Sequence, residues 1–133
     1  MLEGIEQIIK ETKNNKSPGH DKITNEHIKL GGVEMVKYLT KLFNNILKAK
    51  IIPSDWSLQD TIIIFKKEDR HKIENYRPIT LGTTISKIFS KALEKRLKPI
   101  IMAQQPIEQA GFRKQYSTMD HLHAINQLIE KLD

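Results

Sequence analysis

The chain has 133 residues, 38% of them apolar and 29% charged, with 22 lysines and arginines against 16 acidic side chains, a net charge of +6 and a pI near 9.5. This length suits one domain or a piece of a larger one and permits a core, though a thin one at this apolar content; the absence of cysteine excludes a disulfide framework and a thiolate metal site. The basic balance favours polyanions, nucleic acid before anionic membrane, while no apolar run approaches the roughly 20 residues of a membrane span and residues 1–6 do not read as a signal peptide, so an intracellular location, nuclear or cytoplasmic, is expected.

Leu2, Ile5, Ile8, Ile9 and Thr12 recur at helical spacing and predict a short amphipathic helix over residues 3–14. Residues 13–19 break it, with Pro18-Gly19 marking a turn. Asp21 can cap a helix running to about Leu30, its carboxylate accepting free backbone N–H groups, and Gly31-Gly32 ends that helix. Val36, Leu39, Phe43, Ile46 and Leu47 predict a longer helix over 33–48, with Pro53 just past its end.

Thr61-Ile62-Ile63-Ile64-Phe65 is β-branched and too short for a helix, so it reads as a strand buried on both faces. Residues 76–81 read as the returning strand, which places Pro78 at an edge. Ile85, Ile88, Phe89, Ala92, Leu93 and Leu97 predict the clearest helix, over 84–98, terminated by Pro99. Residues 99–116, with Pro99, Pro106 and Gly111, read as loop. Ser117 and Asp120 fit a capping box opening a last helix with apolar face Leu122, Ile125, Ile129 and Leu132. That helix still runs near residue 133, as in a fragment. The fold class expected is α+β, predominantly helical, with at most a small sheet.

An active site is not evident. No G-x-S-x-G motif is present, and 16–19 lacks P-loop spacing. Two-metal phosphoryl transfer needs converging carboxylates, yet Asp21, Asp55, Asp60, Asp69, Asp120 and Asp133 form no D-D or D-x-D group. His121 and His123 point to different helix faces and make poor joint ligands. No catalytic residue, metal ligand or cofactor is therefore assigned within the chain.

The basic positions say more. Lys66, Lys67, Arg70, Lys72 and Arg77 cluster around the expected hairpin, where an arginine fork and lysine charges can fold over a triphosphate. The alternative is a solvated hairpin balanced by Glu68, Asp69 and Glu74. Lys87, Lys91, Lys95 and Lys98 share one helix face and can follow a nucleic-acid backbone; the alternative is an ordinary solvent face. In Gln109-Ala110-Gly111-Phe112-Arg113 the glycine allows close backbone approach, the phenylalanine can stack on a base and the arginine can reach phosphate. The alternative is a turn with a buried Phe112.

An ordered set of motifs carries a resemblance. It runs from Lys16-Ser17-Pro18-Gly19-His20-Asp21 through Pro53-Ser54-Asp55-Trp56 to Asn75-Tyr76-Arg77-Pro78-Ile79-Thr80-Leu81 with Ser86-Lys87-Ile88. It closes with Gln109-Ala110-Gly111-Phe112-Arg113 and Ser117-Thr118. Over nearly the whole chain this resembles the front of the reverse transcriptase of non-LTR (LINE-type) retrotransposons.

The resemblance implies helices around a short β-hairpin, the fingers subdomain of a right-hand polymerase. Residues 1–133 would be a partial domain, fingers and start of palm, with the catalytic palm missing. It implies that Lys66 or Lys67 and Arg77 contact the triphosphate of an incoming deoxynucleotide. Gly111, Phe112 and Arg113 would line the template and nucleotide site, and the segment from Lys16 to Asp21 the template path. Lys87 and Lys91 are the stripe positions expected on template or primer.

The implied partners are an RNA template, an RNA–DNA hybrid, a deoxynucleoside triphosphate and the missing palm and thumb, with no membrane. The implied reaction is RNA-templated nucleotidyl transfer with two Mg²⁺ ions in the full-length enzyme. The family's metal-binding aspartate strand and Tyr-x-Asp-Asp turn are absent here, and His20 and Lys22 depart from many relatives. The expectation is a fragment inactive by itself; the rivals are a stand-alone basic nucleic-acid-binding relic and a protein-interaction remnant.

Overall fold

A computed structural model describes residues 2–106, 109, 111 and 117–132. They fall into two compact units, Met1–Lys95 and Arg96–Asp133. Among them are five α-helices, α1 (Leu2–Glu11), α2 (Asn25–Leu30), α3 (Gly32–Ala49), α4 (Thr84–Gln104) and α5 (Thr118–Leu132), and a two-stranded antiparallel sheet of β1 (Asp60–Phe65) and β2 (Tyr76–Leu81). The expected α+β class with helix predominant is what is found.

The first unit is built on the apolar stripes of four helices. Ile5, Ile8 and Ile9 of α1, Ile28 of α2, Val36, Leu39, Phe43 and Ile46 of α3, and Ile88 and Phe89 of α4 form one buried cluster. Phe89 is its aromatic centre, with ring centroids 5.2 Å from Phe43 and 5.3 Å from Trp56. The Pro53-to-Trp56 motif thus has a packing role: a 3₁₀ turn at Ser54–Ser57 presents Trp56 to the core.

Asp21 does not cap α2. Thr24 does, its hydroxyl accepting from the His27 N–H while the His27 ring accepts from the Thr24 N–H. Asp21 instead accepts from the Ile23 N–H two residues on, closing a turn. Gly31 caps the C-terminus of α2, and Gly32, at φ +56°, opens α3 immediately.

The β1–β2 hairpin is in the expected place, but β1 is not buried on both faces. Ile62, Ile63 and Ile64 are 42%, 61% and 49% exposed, because a sheet of only two strands has no further layer packed over either face. The register pairs Ile64 with Arg77, Ile63 with Pro78 and Ile62 with Ile79. The Lys66 N–H donates to the Asn75 carbonyl at 2.8 Å. Alternation from that pair puts Ile63 and Pro78 at a position whose backbone groups face outward, so the N–H that proline lacks is not needed for the ladder.

Pro99 does not terminate α4, which continues to Gln104, so 99–104 is helix rather than loop. An internal proline loses one backbone bond, here to the Lys95 carbonyl, and costs about 3 kcal/mol. The boundary between the two units falls beside it, at Lys95 and Arg96.

In the second unit the expected cap of α5 is present. Ser117 Oγ accepts from the Met119 N–H, and the Asp120 carboxylate accepts from the Ser117 N–H at 2.9 Å. Leu122, Ile125 and Ile129 of the expected apolar face are about half exposed.

Candidate nucleic-acid interface

The segment over 12–24 is held by several polar contacts. Asn25 Nδ2 donates to the Lys13 carbonyl at 2.7 Å, and Lys29 Nζ to the Thr12 carbonyl and Asn14 Oδ1 at 2.6 Å. The Asn15 N–H donates to the Glu26 carboxylate, which this bond holds below the usual carboxylate range. At its far end the segment meets the start of α4. The buried Thr84 hydroxyl donates to the Ile23 carbonyl, and Gly19 packs against the backbone of Gly82 and Thr83 so closely that a Cβ would stand 2.8–2.9 Å from their atoms. Glycine is required there by proximity, since any larger side chain would have to displace main chain.

This docking makes a groove of about 330 Å³ between the end of α1, the segment and the first turns of α4. Ile8 and Ile88 are apolar lining, and Lys13, Lys16, Lys87 and Lys91 bring four cations to it against the single carboxylate of Glu11. Lys16, from the first motif, and Lys87 and Lys91, from the stripe on α4, are therefore brought together. Lys13 and Asn25 were not singled out from sequence; neither belongs to a motif that marks it.

The charges are set locally. Lys95 Nζ lies 2.9 Å from Glu11, and this bond, with a second from Gln7, holds the Glu11 carboxyl below the usual range. Glu94 lies 2.8 Å from Lys91 Nζ and pushes its pKa up. The lysine stripe is thus divided: Lys95 ties α4 to α1, while Lys87 and Lys91 stand at the groove. Alongside lies a more open groove of about 560 Å³, lined by Gln59, Thr80, Gly82, Ser86, Lys87, Ser90, Lys91 and Glu94.

A third hollow, of about 440 Å³ between α1, α2 and α3, is lined by Ile9, Ile28 and Val36 among others. Its lysines are paired, Lys10 with Glu6, Lys37 with Glu34, and Lys29 with the Thr12 carbonyl, as Lys91 is with Glu94 in the second groove.

The hairpin divides its basic residues between two faces. Arg77 lies opposite Ile64 on the face that also carries Ile62 and Ile79. Lys66, continuing the register opposite Asn75, falls on that same face one diagonal step away. Arg70 stacks over the Phe65 ring at 5.2 Å on the other face. Lys67 pairs with Glu68 at 2.9 Å. The five-residue cluster expected from sequence is therefore narrower, with Lys66 and Arg77 as its aligned members. Gly111 is described, with Gln109 Nε2 donating to its carbonyl; Phe112 and Arg113 lie outside the described residues. Among the described residues no group of three His, Asp or Glu side chains could hold a metal ion, and no helix is long and apolar enough to cross a membrane.

No family model matches the chain. It is 35% identical over 129 residues to the "Probable RNA-directed DNA polymerase from transposon X-element" of Drosophila melanogaster, an alignment covering 94% of this chain and 14% of that protein. It is 29% identical over 137 residues, 99% of this chain and 15% of the relative, to the RNA-directed DNA polymerase from mobile element jockey of the same fly. To the retrovirus-related Pol polyprotein from type-1 retrotransposable element R1 of Bradysia coprophila it is 25% identical over 132 residues, 97% of this chain and 13% of that protein. The chain thus spans about 14% of the length of the first of these relatives.

Proposed function

Since this chain belongs to the reverse transcriptases of non-LTR (LINE-type) retrotransposons, we propose that it serves as the fingers of such an RNA-directed DNA polymerase. It grips the RNA template, or the RNA–DNA hybrid, in the groove of Lys13, Lys16, Lys87 and Lys91. The exposed hairpin face with Lys66 and Arg77 receives the triphosphate of the incoming deoxynucleotide, Lys67 lying next to it. The single observation that supports this most is the convergence of Lys16 with Lys87 and Lys91, about which sequence order alone is silent.

Four lysines lining one groove with Ile8 and Ile88 suit a strand whose phosphates are neutralised at the rim. An arginine fork and a lysine on one strand face suit a triphosphate. The two Mg²⁺ ions belong, in this reading, to the full-length enzyme. In this reading the palm portion holds them, and this stretch binds and positions without performing transfer by itself.

Residues 1–133 titrated with an RNA–DNA hybrid at increasing salt should show affinity falling with a log–log slope of about −3.6, as four contacts on the phosphates of a duplex require. Primer extension by the same preparation should be nil. Salt-insensitive binding, or Mg²⁺-dependent templated extension by this chain freed of host polymerases, would overturn the proposal.

A further inference from the structure

We propose that the open groove on the hairpin side of α4 binds the ribose edge of the strand whose phosphates rest on Lys87 and Lys91, and so distinguishes RNA from DNA. This rests on the template-binding reading and adds a chemical basis for choosing the sugar.

Lys87 and Lys91 form one row, and Ser86, Ser90 and Glu94 form a second row one residue behind it. Each step of four residues rises about 6 Å along the helix, comparable with the step between successive phosphates of a strand. A strand following the lysine row therefore lays its sugars along the second row.

The second row suits a hydroxyl, and its one charge, on Glu94, disfavours a phosphate at that end. Ser86 Oγ donates to the Thr83 carbonyl at 2.9 Å, which leaves its lone pairs to accept. Ser90 offers a hydroxyl; Gln59 Nε2 donates to the Trp56 carbonyl at 3.4 Å, which leaves the amide's second hydrogen and its oxygen for a ligand. Glu94 stands at the end of the groove, held at 2.8 Å by Lys91. A carboxylate repels a phosphate yet accepts readily from a neutral hydroxyl. Lysines on one side and hydroxyl, amide and carboxylate groups on the other thus sort a strand into its charged and its hydroxyl-bearing edges. The 2′-hydroxyl, donor and acceptor at once, is the group that DNA lacks.

The test uses the full 133-residue chain and fluorescence anisotropy with labelled oligouridine and oligodeoxyuridine of about twelve nucleotides, within the range of single-strand site sizes. The unmodified chain should bind the ribo-oligomer more tightly. Replacing both Ser90→Ala and Gln59→Ala, two exposed positions that leave the core untouched, should weaken RNA binding roughly three- to tenfold, as removal of one or two hydrogen bonds requires. DNA binding should stay unchanged. Equal affinity of the unmodified chain for the two oligomers would overturn the sugar inference and leave the template reading standing. So would a double variant that keeps its preference or loses both affinities in parallel. Failure to bind either oligomer would overturn both.

Discussion

Gly19 and Thr83 touch through their main chains: a Cβ placed on Gly19 would lie 2.8 Å from the Thr83 nitrogen, closer than such atoms come in folded proteins. Thr83 cannot retreat easily, since it is buried and its hydroxyl accepts from the Ser86 N–H in the first turn of α4. Gly19→Ala should therefore lower stability by about 1–3 kcal/mol, the usual cost of overpacking. It should also weaken RNA binding, because the segment carrying Lys16 is displaced from α4. Urea denaturation and anisotropy measured on the same preparation check both. A variant of unchanged stability and affinity would mean that the two main chains can part at little cost.

Lys87 and Lys91 belong to both grooves on α4. Reversing both, Lys87→Glu with Lys91→Glu, should weaken binding to every sequence tested and reduce the magnitude of the salt slope by about two, one unit for each phosphate no longer neutralised. Their exposure predicts little change in melting temperature. Unchanged binding would remove the lysine row from the interface.

Arg77 lies on an exposed strand face, so its removal should leave folding intact while taking a phosphate fork from the nucleotide. In a full-length polymerase carrying Arg77→Ala, steady-state kinetics should show a raised KM for deoxynucleotide, a lowered kcat, or both. Unaltered nucleotide kinetics would exclude Arg77 from the triphosphate site.

The Glu11–Lys95 pair links α1 to α4 at 2.9 Å. Its hydrogen bond to Lys95, with a smaller one from Gln7, depresses the Glu11 pKa below 4.5 in the folded chain. A depressed carboxyl stabilises the fold above the unfolded-state value, and that contribution is lost as pH falls through the folded-state value. Lys95→Ala should therefore be slightly less stable than the unmodified chain at neutral pH. The difference should vanish in acid well below 4.5, as urea midpoints across that range will show. A difference that persists in acid would assign the effect to packing of the lysine stem.

Helix existence was legible because Ile5, Ile8 and Ile9, Val36, Leu39 and Phe43, and Ile88 and Phe89 repeat at the helical period and fill one core. Finer features depended on competition that spacing does not rank. Asp21 and Thr24 are both good caps three residues apart, and the Thr24 hydroxyl with the His27 ring formed the reciprocal pair. A run of isoleucines says that a strand is stiff and apolar, not that a layer covers it; β1 has none on either face. Pro99 removes one donor, which a helix can survive. The candidate interface was legible only in parts. Lys16 and Lys87 lie far apart in sequence and meet through the close approach of Gly19 to Thr83, a tertiary contact with no local signature. Ser90 and Gln59 carried no signal at all.

The outward-facing proline of β2 also governs how the molecule behaves in crowded solution. On β2, Pro78 interrupts the row of free donors that another chain would need for strand addition. On β1 the outward amides of Thr61, Ile63 and Phe65 face no such block, and they sit in a stretch with the composition of an aggregation template. Lys66 and Lys67, at the end of that strand, are then gatekeepers against strand addition. Neutralising them to probe nucleotide chemistry would also strip the hairpin's protection against self-association, so such variants should be assayed at low protein concentration.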